Sequence, residues 1–187
     1  MKLGVHVKQI KQYLLKSLLM VGVLMSVVPA YGEKGDANAL VGTEAPDFTL
    51  KNLAGERVTL SSHENESIVV LDLWATWCGP CVRAMPELQK VAEAYKDKGV
   101  VVYAVNQQEG KLKVEKFLER RKISLTVLLD KKAEVGTAYR AEAIPQTVII
   151  DKEGTIRAVH VGYSPRLGSM LSRELDLLLE GKELPGS

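Results

Sequence analysis

The sequence predicts an α/β protein with a mixed central sheet flanked by helices, and three observations carry that prediction. Residues 68–74, Ile-Val-Val-Leu-Asp-Leu-Trp, form a nearly unbroken apolar run, as a strand buried on both faces does. After Cys81 the period changes, and Val82, Met85, Leu88, Val91, Ala92 and Tyr95 fall on one helical face. A second apolar run, Val100 to Val105, follows Gly99, which reads as a helix stop. Strand, helix and strand at this length make a βαβ unit with an expected right-handed crossover.

The chain opens with Lys2, Lys8, Lys11 and Lys16 and carries no acidic residue before Glu33. An apolar run from about Leu18 to Val28 leads into the small residues around Pro29, Ala30 and Gly32. This is the pattern of a secretory signal peptide over residues 1–32, with cleavage after Ala30 or Gly32. The apolar run is shorter than the about twenty residues of a membrane span, with an uncleaved anchor as the alternative. No cysteine lies near the cleavage region, which argues against a lipid anchor. The expected destination is the periplasm or another extracytoplasmic compartment.

Removing residues 1–32 takes away four lysines and no acid, so the formal net charge moves from +2 to −2. The short basic runs 120–122 and 131–132 read as solvated faces. There is no basic stripe, and no nucleic-acid partner is expected.

Residues 33–42 lack periodicity and are expected to be a flexible leader, with a single domain over 43–187. Alternation in Phe48–Leu50 and Arg57–Leu60 around a turn at Asn52–Gly55 predicts a small hairpin. Residues 111–122 predict a short amphipathic helix with Val114, Phe117 and Leu118 inward, 125–129 a strand, and 133–139 a further helix. Ala143-Ile144-Pro145-Gln146 opens a strand over 147–151, and a turn at Lys152–Gly154 pairs it with 155–161. Ser164 is expected to cap the last helix, with Pro165 in its first turn. Leu167, Met170, Leu171, Leu175, Leu178 and Leu179 form that helix's core stripe. His63 and His160 are isolated and read as ordinary surface or strand residues.

Chemistry concentrates in the only two cysteines, Cys78 and Cys81, spaced C-x-x-C around Gly79-Pro80. A buried strand delivers them to a helix start, where free N–H groups and the helix dipole favour a thiolate. Cys78, first and nearest the exposed end, is expected to be the nucleophile, and Cys81, one turn in, the resolving thiol. Pro80 suits the first helical turn, where its missing N–H costs nothing. A purely structural staple closing so short a loop would contribute only about 2 kcal/mol by loop entropy. A zinc site needs four ligands, and no second C-x-x-C exists. Asp72, inside the apolar run, is expected to have a raised pKa and to accept the Cys81 proton; a plain core hydrogen bond is its alternative role. Pro86 should kink the helix that contains it.

Trp74-Ala-Thr-Trp-Cys-Gly-Pro-Cys81, with Asp72 before it and Pro86 after it, resembles a thioredoxin active site. Ala45-Pro-Asp-Phe-Thr-Leu50 is similar to the N-terminal edge of the redoxin (AhpC/TSA) superfamily, which holds both TlpA-like proteins and peroxiredoxins. The helix and strand between the two halves match the insertion of TlpA-like and ResA-like proteins, and Asp151-Lys-Glu-Gly-Thr-Ile156 resembles that family's ending.

The resemblance implies a thioredoxin-like fold with an N-terminal β-hairpin and a central helix–strand insertion. It also implies that Ile144-Pro145 is a cis bond lying against the dithiol, although cis is found in only about 5–6% of X-Pro bonds. It further implies a redox-active Cys78–Cys81 disulfide and a surface shaped by Trp77, Gly79, Pro80, Ile144, Pro145 and Gln146. The activity it implies is reduction of protein disulfides through a mixed disulfide, including a role in cytochrome c maturation. A membrane thiol donor would recharge the dithiol of a monomeric protein that needs neither cofactor nor metal. Gly79-Pro80 and Asp72 are closer to thioredoxin itself than to specialised members, which favours a broader reductase.

Two other readings use the same thiols. A peroxiredoxin-like peroxidase would need Pro-x-x-x-Thr-x-x-Cys, which the residues before Cys78 lack. A thiol-based metal carrier of this fold usually adds a spaced histidine and a wider cysteine gap.

Overall fold

A computed structural model describes residues 36–185; the predicted signal peptide lies outside the described residues. The elements run β1 (Thr49–Asn52), β2 (Arg57–Thr59), β3 (Ile68–Trp74), α1 (Gly79–Tyr95), β4 (Val100–Gln107), α2 (Lys111–Arg121), β5 (Thr126–Asp130), α3 (Glu134–Ala138), β6 (Gln146–Ile150), β7 (Ile156–Val161) and α4 (Leu167–Leu179). Short 3-10 turns occupy Ala37–Leu40 and Leu60–His63.

The seven strands form one sheet in the order β2-β1-β5-β4-β3-β6-β7. β3, β4 and β5 are parallel, and β6 and β7 add antiparallel on the β3 side. β3 sits inside the sheet and every one of its residues is buried, as its unbroken apolar run predicts. The insertion strand β5 lies between β4 and the N-terminal hairpin, whose β1 pairs with it antiparallel. The hairpin is therefore the far edge of the main sheet and no separate flap.

Alternation along the strands divides the core into two layers. Ile68, Val70 and Trp74 of β3 face the layer built by α1, α2 and α4. Val69, Leu71 and Leu73 face the layer holding the two 3-10 turns, α3 and Tyr139. The α1 stripe is buried at Met85, Leu88, Val91 and Tyr95. The Tyr95 hydroxyl joins it to α4, its single proton shared between Ser172 O at 2.9 Å and Asp176 Oδ1 at 2.7 Å. α1 runs on past Pro86, which has no N–H to give the preceding turn.

Three boundaries depart from the sequence reading. Part of the expected leader is built into the fold. Ala37 and Leu40 are buried, Asp36 caps their turn through Asn38 N–H at 2.9 Å, and Gly42 N–H reaches Ile156 O at 2.8 Å. Ala37 and Leu40, three apart, share one face of a single 3-10 turn, too short to register as a period. Ser164 does not cap α4: it accepts from Arg166 N–H at 3.2 Å in a turn that precedes the helix, which starts at Leu167. α3 is confined to Glu134–Ala138, and at its start the buried Asp130 carboxylate accepts from Glu134 N–H and Gly136 N–H at 2.9 Å each.

Candidate active site

β3 ends at Trp74, and the chain turns once over Ala75–Cys78 before α1 begins. Cys78 occupies the N-cap of α1, with Pro80 in the first turn. Cys78 and Cys81 are joined as a disulfide, and the Cys81 N–H points at Cys78 Sγ at 3.2 Å. Both cysteines are buried, Cys81 completely and Cys78 with 5% of its residue surface left exposed.

The second wall comes from the start of β6. Ile144-Pro145 is a cis bond, as the resemblance implies, and the Ile144 carbonyl oxygen lies 3.6 Å from Cys78 Sγ. Gly162 N–H holds the Pro145 carbonyl at 2.8 Å. The Arg83 guanidinium stacks on the neighbouring Tyr163 ring at 5.3 Å. Trp77, 69% exposed, projects from the turn beside the sulfurs.

Asp72 lies on β3 with the parity of Val70 and Trp74, so its side chain enters the layer that contains Cys81. It is fully buried. Thr147, its partner in the β3–β6 register, donates its hydroxyl to Asp72 Oδ1 at 2.9 Å, while Oδ2 has no protein partner. Burial pushes the carboxyl up to about 7, against the smaller opposing pull of the Thr147 bond.

Gln146, next to Pro145, points into the sheet interior. Its side chain is buried and donates to Tyr139 O at 2.7 Å, which ties β6 to the segment before it. Alternation turns Thr147 toward Asp72 and leaves Gln146 on the opposite face.

Sequence reasoning also passed over Glu109. It follows the end of β4, which runs parallel to β3 with Asn106 beside Trp74. Glu109 is buried and accepts from Thr76 N–H at 2.7 Å and Thr76 Oγ1 at 2.6 Å. Asn106 Nδ2 and Lys113 Nζ complete its shell at 2.9 and 2.6 Å. The available signal was topological: in parallel sheets the carboxyl ends of neighbouring strands gather at one edge, where sites form.

A strand-delivered dithiol at a helix N-terminus, walled by a cis-proline loop, defines a thioredoxin-fold thiol-disulfide protein. The AhpC/TSA family profile matches residues 41–159, and the chain belongs to that family, among its TlpA/ResA-like thioredoxin-fold members. It is 40% identical over 122 residues to the thiol-disulfide oxidoreductase ResA of Geobacillus kaustophilus, spanning 65% of this chain and 70% of that one. Identity to the ResA of Bacillus subtilis is 30% over 168 residues, 86% of this chain and 92% of the relative. A Chlorobium tepidum structure described as a thiol:disulfide interchange protein DsbE superposes with a TM-score of 0.69 at 34% identity, covering 74% of this chain and 97% of that one. The protein is a thiol-disulfide oxidoreductase.

Proposed function

We propose that this oxidoreductase works as an extracytoplasmic reductant of protein disulfides. The observation that carries the reading is the one-sided exposure of the dithiol, with Cys78 at the rim beside Trp77 and the Ile144 carbonyl and Cys81 fully enclosed.

In the reduced protein the α1 N-terminus stabilises the Cys78 thiolate. That thiolate attacks one sulfur of a substrate disulfide, forming a Cys78–substrate mixed disulfide and expelling the other substrate sulfur as a thiolate. Cys81 passes its proton to Asp72 and attacks Cys78 Sγ. The mixed disulfide breaks, the second substrate thiolate leaves, and the Cys78–Cys81 disulfide remains. Two electrons have moved from the dithiol to the substrate, whose thiolates take up two protons. Asp72 suits the proton step because a carboxyl held near 7 exchanges protons close to neutral pH.

The basic, apolar and small-residue order of positions 1–32 supports export to the periplasm or an equivalent compartment. There a membrane thiol donor would recharge the pair, since cytosolic thiol buffers are absent. Apocytochrome c thiols are one substrate class in that setting, within the broader reductase role that Gly79-Pro80 favours. The working unit is a monomer.

The decisive experiment is the reduction potential of the Cys78/Cys81 pair, equilibrated against glutathione and dithiothreitol buffers and read by free-thiol counting. A value at or below about −250 mV is expected of a reductant. A value near about −120 mV would overturn the direction and assign disulfide formation instead.

A further inference from the structure

The turn before the dithiol is held by a carboxylate that the thiol chemistry does not use. Cys78 N–H closes the turn on Ala75 O at 3.1 Å, which makes Thr76 and Trp77 its central residues. Thr76 has left the β3 ladder, and both its N–H and its hydroxyl go to Glu109. Glu109 is gripped in turn by Asn106 at the end of β4 and by Lys113 in the first turn of α2. Four donors converge on two oxygens, which calls for an acceptor without a proton of its own, an ionised carboxylate. Burial alone would raise this carboxyl; the bonds from Lys113, Thr76 and Asn106 outweigh burial and bring it down to about 2.

The neighbour of Thr76 is Trp77, whose indole stands largely in solvent, so its direction follows the backbone of the turn. The polar neighbours of Cys78 Sγ, by contrast, are Cys81 N–H and the Ile144 carbonyl, neither of which bonds Glu109.

We propose that Glu109 is a positioning residue for polypeptide substrates: by fixing Thr76 it aims Trp77 at the chain that carries the target disulfide. The proposal rests on the protein-disulfide reading above. A small aromatic disulfide needs little beyond an exposed sulfur, whereas a polypeptide must lie across the rim that Trp77 forms. Loss of Glu109 should therefore weaken protein substrates far more than small ones. E109Q is the sharpest probe, because its amide places an N–H against two existing donors. T76V removes one hydroxyl bond without disturbing Asn106 or Lys113, and T76S restores it.

The test uses the full-length chain with insulin as the protein disulfide and 5,5′-dithiobis(2-nitrobenzoic acid) as the small one. E109Q should raise KM for insulin about tenfold and T76V about threefold, with T76S close to wild type. The E109Q loss with insulin should exceed its loss with the small disulfide by at least about fivefold. In parallel, 15N relaxation should show the Trp77 indole gaining mobility in E109Q while the buried Trp74 indole does not. Equal losses on both substrates, a loss confined to kcat, or a Trp77 indole as rigid as wild type would overturn the proposal. If wild type reduces the small disulfide and not insulin, the protein-substrate reading fails by itself, and the indole measurement decides the role of Glu109. Should E109Q not fold, the T76V and T76S pair carries the same comparison.

Discussion

Asp72 and Thr147 face each other across the β3–β6 ladder, and the threonine hydroxyl donates to Asp72 Oδ1 at 2.9 Å while Oδ2 is left without a protein partner. One hydrogen bond does not offset complete burial of a carboxylate. The protein therefore keeps an acid whose charged form is costly, on the sheet face that carries Cys81. The cost is measurable as stability.

The folded pKa of Asp72, about 7, lies above the ordinary value of 3.8, so the folded protein holds this proton more tightly than the unfolded chain. Its contribution is fullest below the unfolded pKa and is lost as pH rises toward 7. D72N should remove this dependence and be the more stable protein at pH 8, by up to roughly 4 kcal/mol. Urea unfolding of the oxidised forms at pH 5 and pH 8 measures it. A wild-type minus D72N difference that stays constant between the two pH values would contradict the raised pKa.

Complete burial of Cys81 together with the proposed roles predicts an ordered reaction. C81S should accumulate a mixed disulfide between Cys78 and a protein substrate, visible by mass spectrometry and reversed by dithiothreitol. C78S should accumulate none, because Cys81 is enclosed. A stable adduct on Cys81 in C78S would reverse the assignment of nucleophile and resolving thiol.

Gln146 should behave as a structural residue. Q146L leaves the Tyr139 carbonyl without its buried donor, a loss of about 1–3 kcal/mol. Chemical denaturation reads that loss. Insulin reduction by the folded fraction should fall by less than about twofold, since the side chain faces away from the dithiol. A tenfold fall in kcat/KM at unchanged stability would return Gln146 to the substrate surface.

The 3-10 turn before β1 should prove part of the domain. Leu40 packs with Tyr139, Leu71 and Ile156 in the second core layer, and L40A should cost about 2–4 kcal/mol. A chain starting at residue 43 should lose at least as much, because it also drops Ala37 and the Gly42 bond to Ile156. Equal unfolding midpoints for chains starting at residues 33 and 43 would show that this segment contributes nothing.

Much of this was legible in the sequence, for local reasons. The apolar run 68–74, the helical stripe after Cys81 and the C-x-x-C between them are short-range signals, and each maps directly onto β3, α1 and the dithiol. A charged residue inside an apolar run announces its own desolvation, so the raised carboxyl of Asp72 needed no coordinates to predict its direction. The cis bond at Pro145 came from resemblance, since nothing local distinguishes it from a trans strand start.

Tertiary structure alone decided which residues meet across strands. Thr147 and not Gln146 serves the dithiol face because β6 pairs with β3 in one register, and a slip of one residue would exchange them. Glu109 reaches Thr76 because β3 and β4 are parallel neighbours, which brings together positions 33 residues apart. β1 joins the sheet only because the insertion strand β5 offers it an edge. The sequence by itself determined the elements and the reacting atoms, which depend on neighbours along the chain. The surroundings of those atoms depend on register, and register belongs to the whole sheet.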